Sequence, residues 1–345
     1  MLIRLLPVAV LLASSGCALL QPEAPPPEPV PKQAPPPPPE PQPQAELPPV
    51  TKPAASARAV LDPQPVSARV AVVLTSSLPA YARVAEELTP WLRDYRSYDL
   101  DDRSRSPRQV FNAIADYQAR MVVAIGLGAA RTASTFATVP VVYSQVFNVS
   151  EYRLASETTR GVAMLPPMTA HVDAWRSMDP GIRDIGTIVG EGHEQLIAEA
   201  ERAMSERGIR LHYAVANSDR EALYHFKRLI RELDGYMLFP DNRILSRDVF
   251  TEIMTDAARH HVQVAVFNES LLKHGATFSA SAVESDIAEK ITITLNEIAK
   301  GNIDDVAAIT PLSKVRIRTN PAMVRTFGLD VSGIDIVDSI AEAQR

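Results

Sequence analysis

The chain has 345 residues, a formal net charge of −6, 29 prolines and one cysteine. No block of clustered Lys and Arg is present, which excludes a main function on nucleic-acid phosphates, and a single cysteine excludes a disulfide framework. Beyond the N-terminus no apolar stretch reaches the length of about 20 residues that a membrane-spanning helix needs.

Arg4 supplies a positive charge ahead of a short apolar run, Leu5 to Ala13, and the small residues Ser14-Ser15-Gly16 lead to Cys17. This order reads as an export signal. It resembles the lipobox of bacterial lipoproteins, with Ser14 where Leu is usual, and that resemblance implies lipidation of Cys17 after cleavage of residues 1–17. The alternative is an ordinary secretory signal cleaved near Ala18. Ala18 in place of Asp resembles an outer-membrane sorting signal of proteobacterial lipoproteins. Residues 18–67 are rich in Pro, Glu, Gln and Ala, with a proline run from Pro35 to Pro39. Such a tract favours extended polyproline II without a core. At about 3.1 Å per residue it is a semi-rigid stalk on the order of 100 Å long. An SH3-type ligand has the same composition but belongs with cytosolic partners.

From residue 68 the chain suits one bilobed unit or two small domains. Apolar, β-branched runs recur at Arg69–Leu74, Met121–Ile125, Val139–Tyr143, Ile185–Val189, Leu211–Val215, Gly235–Phe239, Val262–Phe267 and Val315–Ile317. Continuous apolar runs of this kind predict strands buried on both faces. Between them, amphipathic patterns predict helices over Tyr81–Leu92, Arg108–Tyr117, Leu196–Arg207, Arg220–Leu233, Ser246–His260 and Glu284–Lys300. The alternation predicts an α/β fold with two doubly wound parallel-sheet lobes and a cleft between them. The expected division is lobe 1 over 68–160, completed by 278–345, and lobe 2 over 161–277. Crossings are expected near Gly161 and Ser279.

Several segments match one family in order and spacing. They are Val122-Val-Ala-Ile-Gly-Leu-Gly-Ala-Ala130, Val139-Pro-Val-Val-Tyr-Ser144, Gly161-Val-Ala-Met164, Met237-Leu-Phe-Pro-Asp-Asn242, Val264-Ala-Val-Phe267 followed by Leu271-Leu-Lys-His-Gly275, Lys300-Gly301 and Arg318-Thr-Asn-Pro-Ala322. Together they resemble substrate-binding proteins of ABC importers, the lipoprotein type with tryptophan- and phenylalanine-binding members. The resemblance spans nearly all of residues 68–330 and implies the type 1 periplasmic-binding fold. The chain departs from the family where Thr-Asp-Pro is usual, carrying Val146-Phe147-Asn148-Val149. Arg160-Gly161 stands for Thr-Gly, and Val283, Glu284 and Ser285 stand for the usual Asp and Tyr.

Candidate site residues lie at predicted strand ends, where open α/β sheets bind ligands. Thr75, Ser76 and Ser77 follow the first strand and either contact a ligand or cap a helix. Gly126 and Gly128 open a helix whose free N–H groups suit a carboxylate or phosphate, or form a tight turn only. Arg131 at the third glycine position removes the dinucleotide fingerprint. Tyr143 and Ser144 end the fourth-strand segment, with Tyr143 read as a stacking residue or a half-buried rim residue. Asp241 and Asn242 follow, with Asp241 read as the partner of a ligand ammonium or a cap near Ile244. Phe267, Asn268 and Ser279 complete the set, and Arg160 pairs an acidic ligand or solvent. The histidines are scattered apart from His260-His261, no metal-ligand spacing occurs, and no nucleophile elbow or phosphate-binding loop is found. No cofactor, metal or catalysis is expected.

These readings predict a non-enzymatic, lipid-anchored binding protein on the periplasmic face, in the outer membrane. It takes a small organic solute, an amino acid or related carboxylate, and hands it to an ABC permease. The alternative from the same residues is a sensor, regulator or scaffold for a periplasmic partner, as in penicillin-binding-protein activators, which use this fold without solute import.

Overall fold

A computed structural model describes residues 64–149, 151–154, 156–332 and 334. Cys17, the export signal and residues 18–63 of the expected stalk lie outside the described residues. In chain order the elements are β1 (Val66–Leu74), α1 (Pro79–Leu88), β2 (Leu92–Asp99), α2 (Pro107–Asp116), β3 (Met121–Ile125), α3 (Leu127–Phe136), β4 (Val141–Ser144) and β5 (Thr159–Val162). Then come α4 (Met168–Met178), β6 (Asp184–Val189), α5 (Glu194–Ser205), β7 (Arg210–Val215), α6 (Asp219–Leu229), β8 (Gly235–Met237), α7 (Arg247–Arg259), β9 (Gln263–Val266) and β10 (Phe278–Ala282). The chain continues through α8 (Glu284–Ala299), β11 (Ile309–Thr310), β12 (Val315–Thr319) and α9 (Pro321–Phe327). Among the described residues no helix is long and apolar enough to cross a membrane.

The strands form two six-stranded sheets, ordered β11-β5-β4-β3-β1-β2 and β12-β10-β9-β8-β6-β7. Every pairing is parallel except β10 with β12. Each sheet is covered on both faces. In β3, Met121, Val123 and Ile125 pack with α1 and α8, while Val122 and Ala124 pack with α2 and α3. The second sheet has Trp175 and Ile197 of α4 and α5 on one face and Phe226 and Ile253 of α6 and α7 on the other. Two-sided burial is why these strands lack polar alternation. Serines start several helices: Ser106 and Gln109 form a reciprocal capping box ahead of Pro107, and Ser218 and Ser246 accept from the first turns of α6 and α7.

The expected doubly wound lobes are present, and several details differ. The helix expected over Tyr81–Leu92 stops at Leu88, because Pro90 breaks it into a short 3-10 turn that feeds β2. Strand β2, Leu-Arg-Asp-Tyr-Arg-Ser-Tyr-Asp, is an exposed edge and carries no apolar run to read. Helix α4, with Trp175 fully buried, was not among the expected helices. The expected division at 160/161 cuts β5, which belongs to the first sheet as far as Val162.

The segment 278–345 also divides otherwise than expected. Residues Phe278 and Ser279 pair with Ala265 and Val266 of β9, and β12 adds to the free edge of β10, so both strands stay in the second sheet. Only α8 and β11 return to the first lobe. The chain therefore passes between lobes three times: after β5, after β10 and after β11. The second and third passes are pinned. Asp286 of α8 accepts the N–H of Ser313 (2.8 Å) and of Lys314 (2.9 Å) at the last one. Glu284 joins Arg83 of α1 (3.3 Å) to Arg316 of β12 (2.9 Å) at the second.

Candidate functional site

The segments that follow the carboxyl ends of β4 and β8 meet. Asp241, in the turn after β8, is 1% exposed. Its Oδ1 accepts from the Arg243 N–H (3.1 Å), Arg243 Nε (2.9 Å) and Asn148 Nδ2 (3.3 Å). Its Oδ2 accepts from the Gly190 N–H (3.0 Å) and Arg243 Nη2 (2.7 Å), and lies 3.3 Å from His193 Nε2. A carboxylate has about four lone-pair sites, so this one is saturated by its own chain. Burial pushes its pKa up, but hydrogen bonds from Arg243 and His193 outweigh burial and hold it well below the usual carboxylate range.

Asn148 comes from the other lobe, in the segment between β4 and β5. Its Oδ1 lies 3.0 Å from His193 Nε2 while its amide NH2 faces Asp241. Beside it, the Phe147 ring sits 4.5 Å from His193 and 6.1 Å from Phe239, centroid to centroid. Glu151 pairs with Arg243 Nη1 at 3.2 Å. Gly190 is required here by close approach: a Cβ would lie 2.5 Å from Arg243 Nη2 and 2.6 Å from Asp241 Oδ2.

The other expected residues divide clearly. Thr75 Oγ1 accepts the Ala129 N–H at 2.9 Å, so it caps α3 from a neighbouring loop. The helix that follows it, α1, has Leu78 at its N-cap and no side-chain cap bond. Gly126 has φ +89° and its N–H donates to Ser144 O at 2.8 Å; a Cβ there would lie 2.6 Å from Thr75 Oγ1. The Gly126–Gly128 turn is thus shaped by Thr75, which takes one of the helix N–H groups expected for an anion.

Tyr143 is neither a stacking nor a rim residue: it is 1% exposed within the first lobe's core, and burial raises its pKa to about 12. Arg160 is a correction of the expected acidic-ligand partner. Its guanidinium donates to the carbonyls of Ile303, Val306, Ser156, Glu157 and Thr159 at 2.9–3.3 Å, tying two loops of the first lobe together. Asn242 is exposed, Asn268 caps the following 3-10 turn, and Phe267 packs on the second lobe's core. Ser76 is half-buried and Ser77 exposed beside β1.

Ser144 and Ser279 stand apart. Ser144 ends β4, and Ser279 is paired with Val266, the last residue of β9, so each lies at the carboxyl margin of its sheet. Both are 0% exposed, and both hydroxyls lack a hydrogen-bond partner, as do the hydroxyls of Tyr143 and Ser281.

Sequence reasoning missed His193, Arg243, Asn148 in this role, Phe147 and Glu151. A signal existed for His193. Val189-Gly190-Glu191-Gly192-His193 is a glycine-rich turn at a strand end, and such turns bring backbone close to neighbouring groups.

Two doubly wound lobes whose strand ends meet across buried polar groups define a bilobed binding protein of the periplasmic-binding type. The model of the family described as ABC transporter substrate binding protein matches residues 99–331, and the chain belongs to that family, whose substrate-binding proteins are extracytoplasmic. Among solved structures, a ligand-free, open substrate-binding protein with adhesive properties from Clostridium difficile aligns with a TM-score of 0.61 at 11% identity, covering 79% of this chain and 99% of that one. An ABC domain from Streptococcus pneumonia in complex with L-Trp aligns with a TM-score of 0.55 at 13% identity, covering 78% and 97%. A conserved domain protein from Vibrio cholerae aligns at 0.53 with 16% identity, covering 77% and 96%. At these identities the likeness concerns the fold. A search of curated protein sequences gives no match.

Proposed function

We propose that the protein is a solute-binding lipoprotein, anchored through Cys17 on its proline-rich stalk, that takes a small organic solute between its lobes for an ABC-type importer. The observation that supports this reading is the pair of buried, unpartnered hydroxyls, Ser144 and Ser279, each level with the carboxyl end of a strand in its sheet. A buried hydroxyl without a partner costs about 1–3 kcal/mol, and a polar solute spanning the lobes would satisfy both. The solute class is an amino acid or related carboxylate, as for the L-Trp-bound relative. Asp241 is already neutralised, so with this network in place the solute is held through hydroxyl contacts and not through an ammonium on Asp241.

The test is a calorimetric and thermal-shift screen of amino acids, peptides, nucleosides and organic acids. A hit whose affinity falls about tenfold in Ser144→Ala or Ser279→Ala supports the proposal, one lost hydrogen bond being about 1.4 kcal/mol. Silence across the panel removes it.

A second reading has its own support. The lobes are joined by the Asn148–Asp241 and Glu151–Arg243 contacts, all supplied by the protein itself. A binding fold that closes on itself suits a sensor, regulator or scaffold in the outer membrane, consistent with Ala18 after the cysteine. Crosslinking in cells separates the two: capture of an inner-membrane permease supports import, and capture of a wall synthase or an outer-membrane receptor supports regulation.

A further inference from the structure

We propose that the segment Val146–Asn148, together with Glu151, is a built-in latch that holds the two lobes closed in the absence of any solute. The segment is rooted in the first lobe, since Val146 and Leu154 on either side are buried in that lobe's core. Between those roots it reaches into the second lobe at three points. The Phe147 ring packs against His193, Phe239 and the second lobe's core cluster. The Asn148 carboxamide faces Asp241 on one side and His193 on the other, at 3.3 and 3.0 Å. Glu151 meets Arg243 at 3.2 Å.

The chemistry at these points is that of a bound ligand: an aromatic ring between aromatic neighbours, and a polar head on a buried acid. The backbone agrees with a held conformation. Gln145 and Arg153, on either side of the contact residues, adopt φ of +61° and +47°. Left-handed backbone at a non-glycine residue is strained and persists where the surroundings fix it. A hydrogen bond to a charged group and the partial burial of the Phe147 ring both favour the joined arrangement.

The latch concerns the same cleft as the solute reading, but its test contains no solute, so the two fail separately. Ser77 and Asn217 are exposed and follow β1 and β7, at the carboxyl ends of the two sheets. Full-length protein carrying Cys17→Ser, Ser77→Cys and Asn217→Cys is spin-labelled, and the interlobe distance is measured by pulsed electron resonance without ligand. A single narrow distance is expected, shifting to longer and broader values when Phe147→Ala and Asn148→Ala are added while circular dichroism stays native. A broad distribution in the latch-bearing protein, or an unchanged one in the folded double variant, overturns the proposal. If the double variant does not fold, Asn148→Ala alone decides on the same readout.

Discussion

Asn148 and Asp241 are 93 positions apart and belong to loops of different sheets, yet the Asn148 amide donates to the Asp241 carboxylate at 3.3 Å. This contact ties the rim of one lobe to the most buried acid of the other. It also shows where the chain departs from its family with consequence: Asn148 lies in the segment standing where Thr-Asp-Pro is usual.

Truncation of Asp241 is expected to be strongly destabilising. Asp241→Ala leaves the Arg243 guanidinium and His193 facing a site without its acceptor, and breaking a buried pair costs about 3–5 kcal/mol. Urea denaturation measures it. A loss below about 1 kcal/mol would mean that the network contributes little.

Gly190→Ala puts a methyl group onto Arg243 Nη2 and Asp241 Oδ2. Overpacking of this kind costs about 1–3 kcal/mol. In an Arg243→Ala background the closest collision is gone, so the cost of Gly190→Ala should shrink. A double-mutant cycle with additive effects would contradict this.

Stability should fall at both ends of the pH range, for opposite reasons. Asp241 has its pKa depressed in the folded state, so its contribution is fully present above the unfolded value near 4 and is lost as pH falls below that. Tyr143 is raised by burial to about 12, so the folded state keeps a proton that the unfolded chain releases near pH 10. Its contribution is therefore present below pH ~10 and lost as pH rises from there toward 12. Asp241→Asn should reduce the acid limb and Tyr143→Phe the alkaline limb, which Tyr117 and Tyr236, also raised by burial, share. Unfolding free energy measured by urea at a series of pH values checks both.

Arg160→Ala should weaken the fold and leave solute affinity alone. The substitution strips donors from five carbonyls of the first lobe, and at the buried one, Thr159, an unsatisfied group costs about 1–3 kcal/mol. A lowered melting temperature with unchanged calorimetric affinity for a screened solute is the expected result. Loss of affinity in a stably folded variant would restore Arg160 to the cleft.

The fold was legible wherever burial is two-sided. In β3 all five residues are apolar because helices cover both faces, and the run is visible without a structure. In β2 one edge is open, polar residues fill it, and the run disappears. The site was legible only as a place. Asp241 was found because it ends a strand in a recognisable Pro-Asp-Asn. Its partners were not, because Asn148 and His193 lie 93 and 48 positions before it, and Arg243 reads as an ordinary turn residue until its fork is seen on the carboxylate. The same limit applied to Arg160, whose acceptors are backbone carbonyls and so leave no trace in residue identity.

The triple passage of the chain between lobes has a consequence for how the protein can be divided. A fragment ending after β5 keeps five of the six strands of the first sheet but loses α8, whose Ile287, Ile291 and Leu295 fill one face of that sheet. A fragment covering 161–277 lacks β10 and β12 and exposes the raw edge of β9. Neither fragment carries its complete sheet with both covering layers, so a cut or a swap made at a single point along the gene leaves one lobe unfinished.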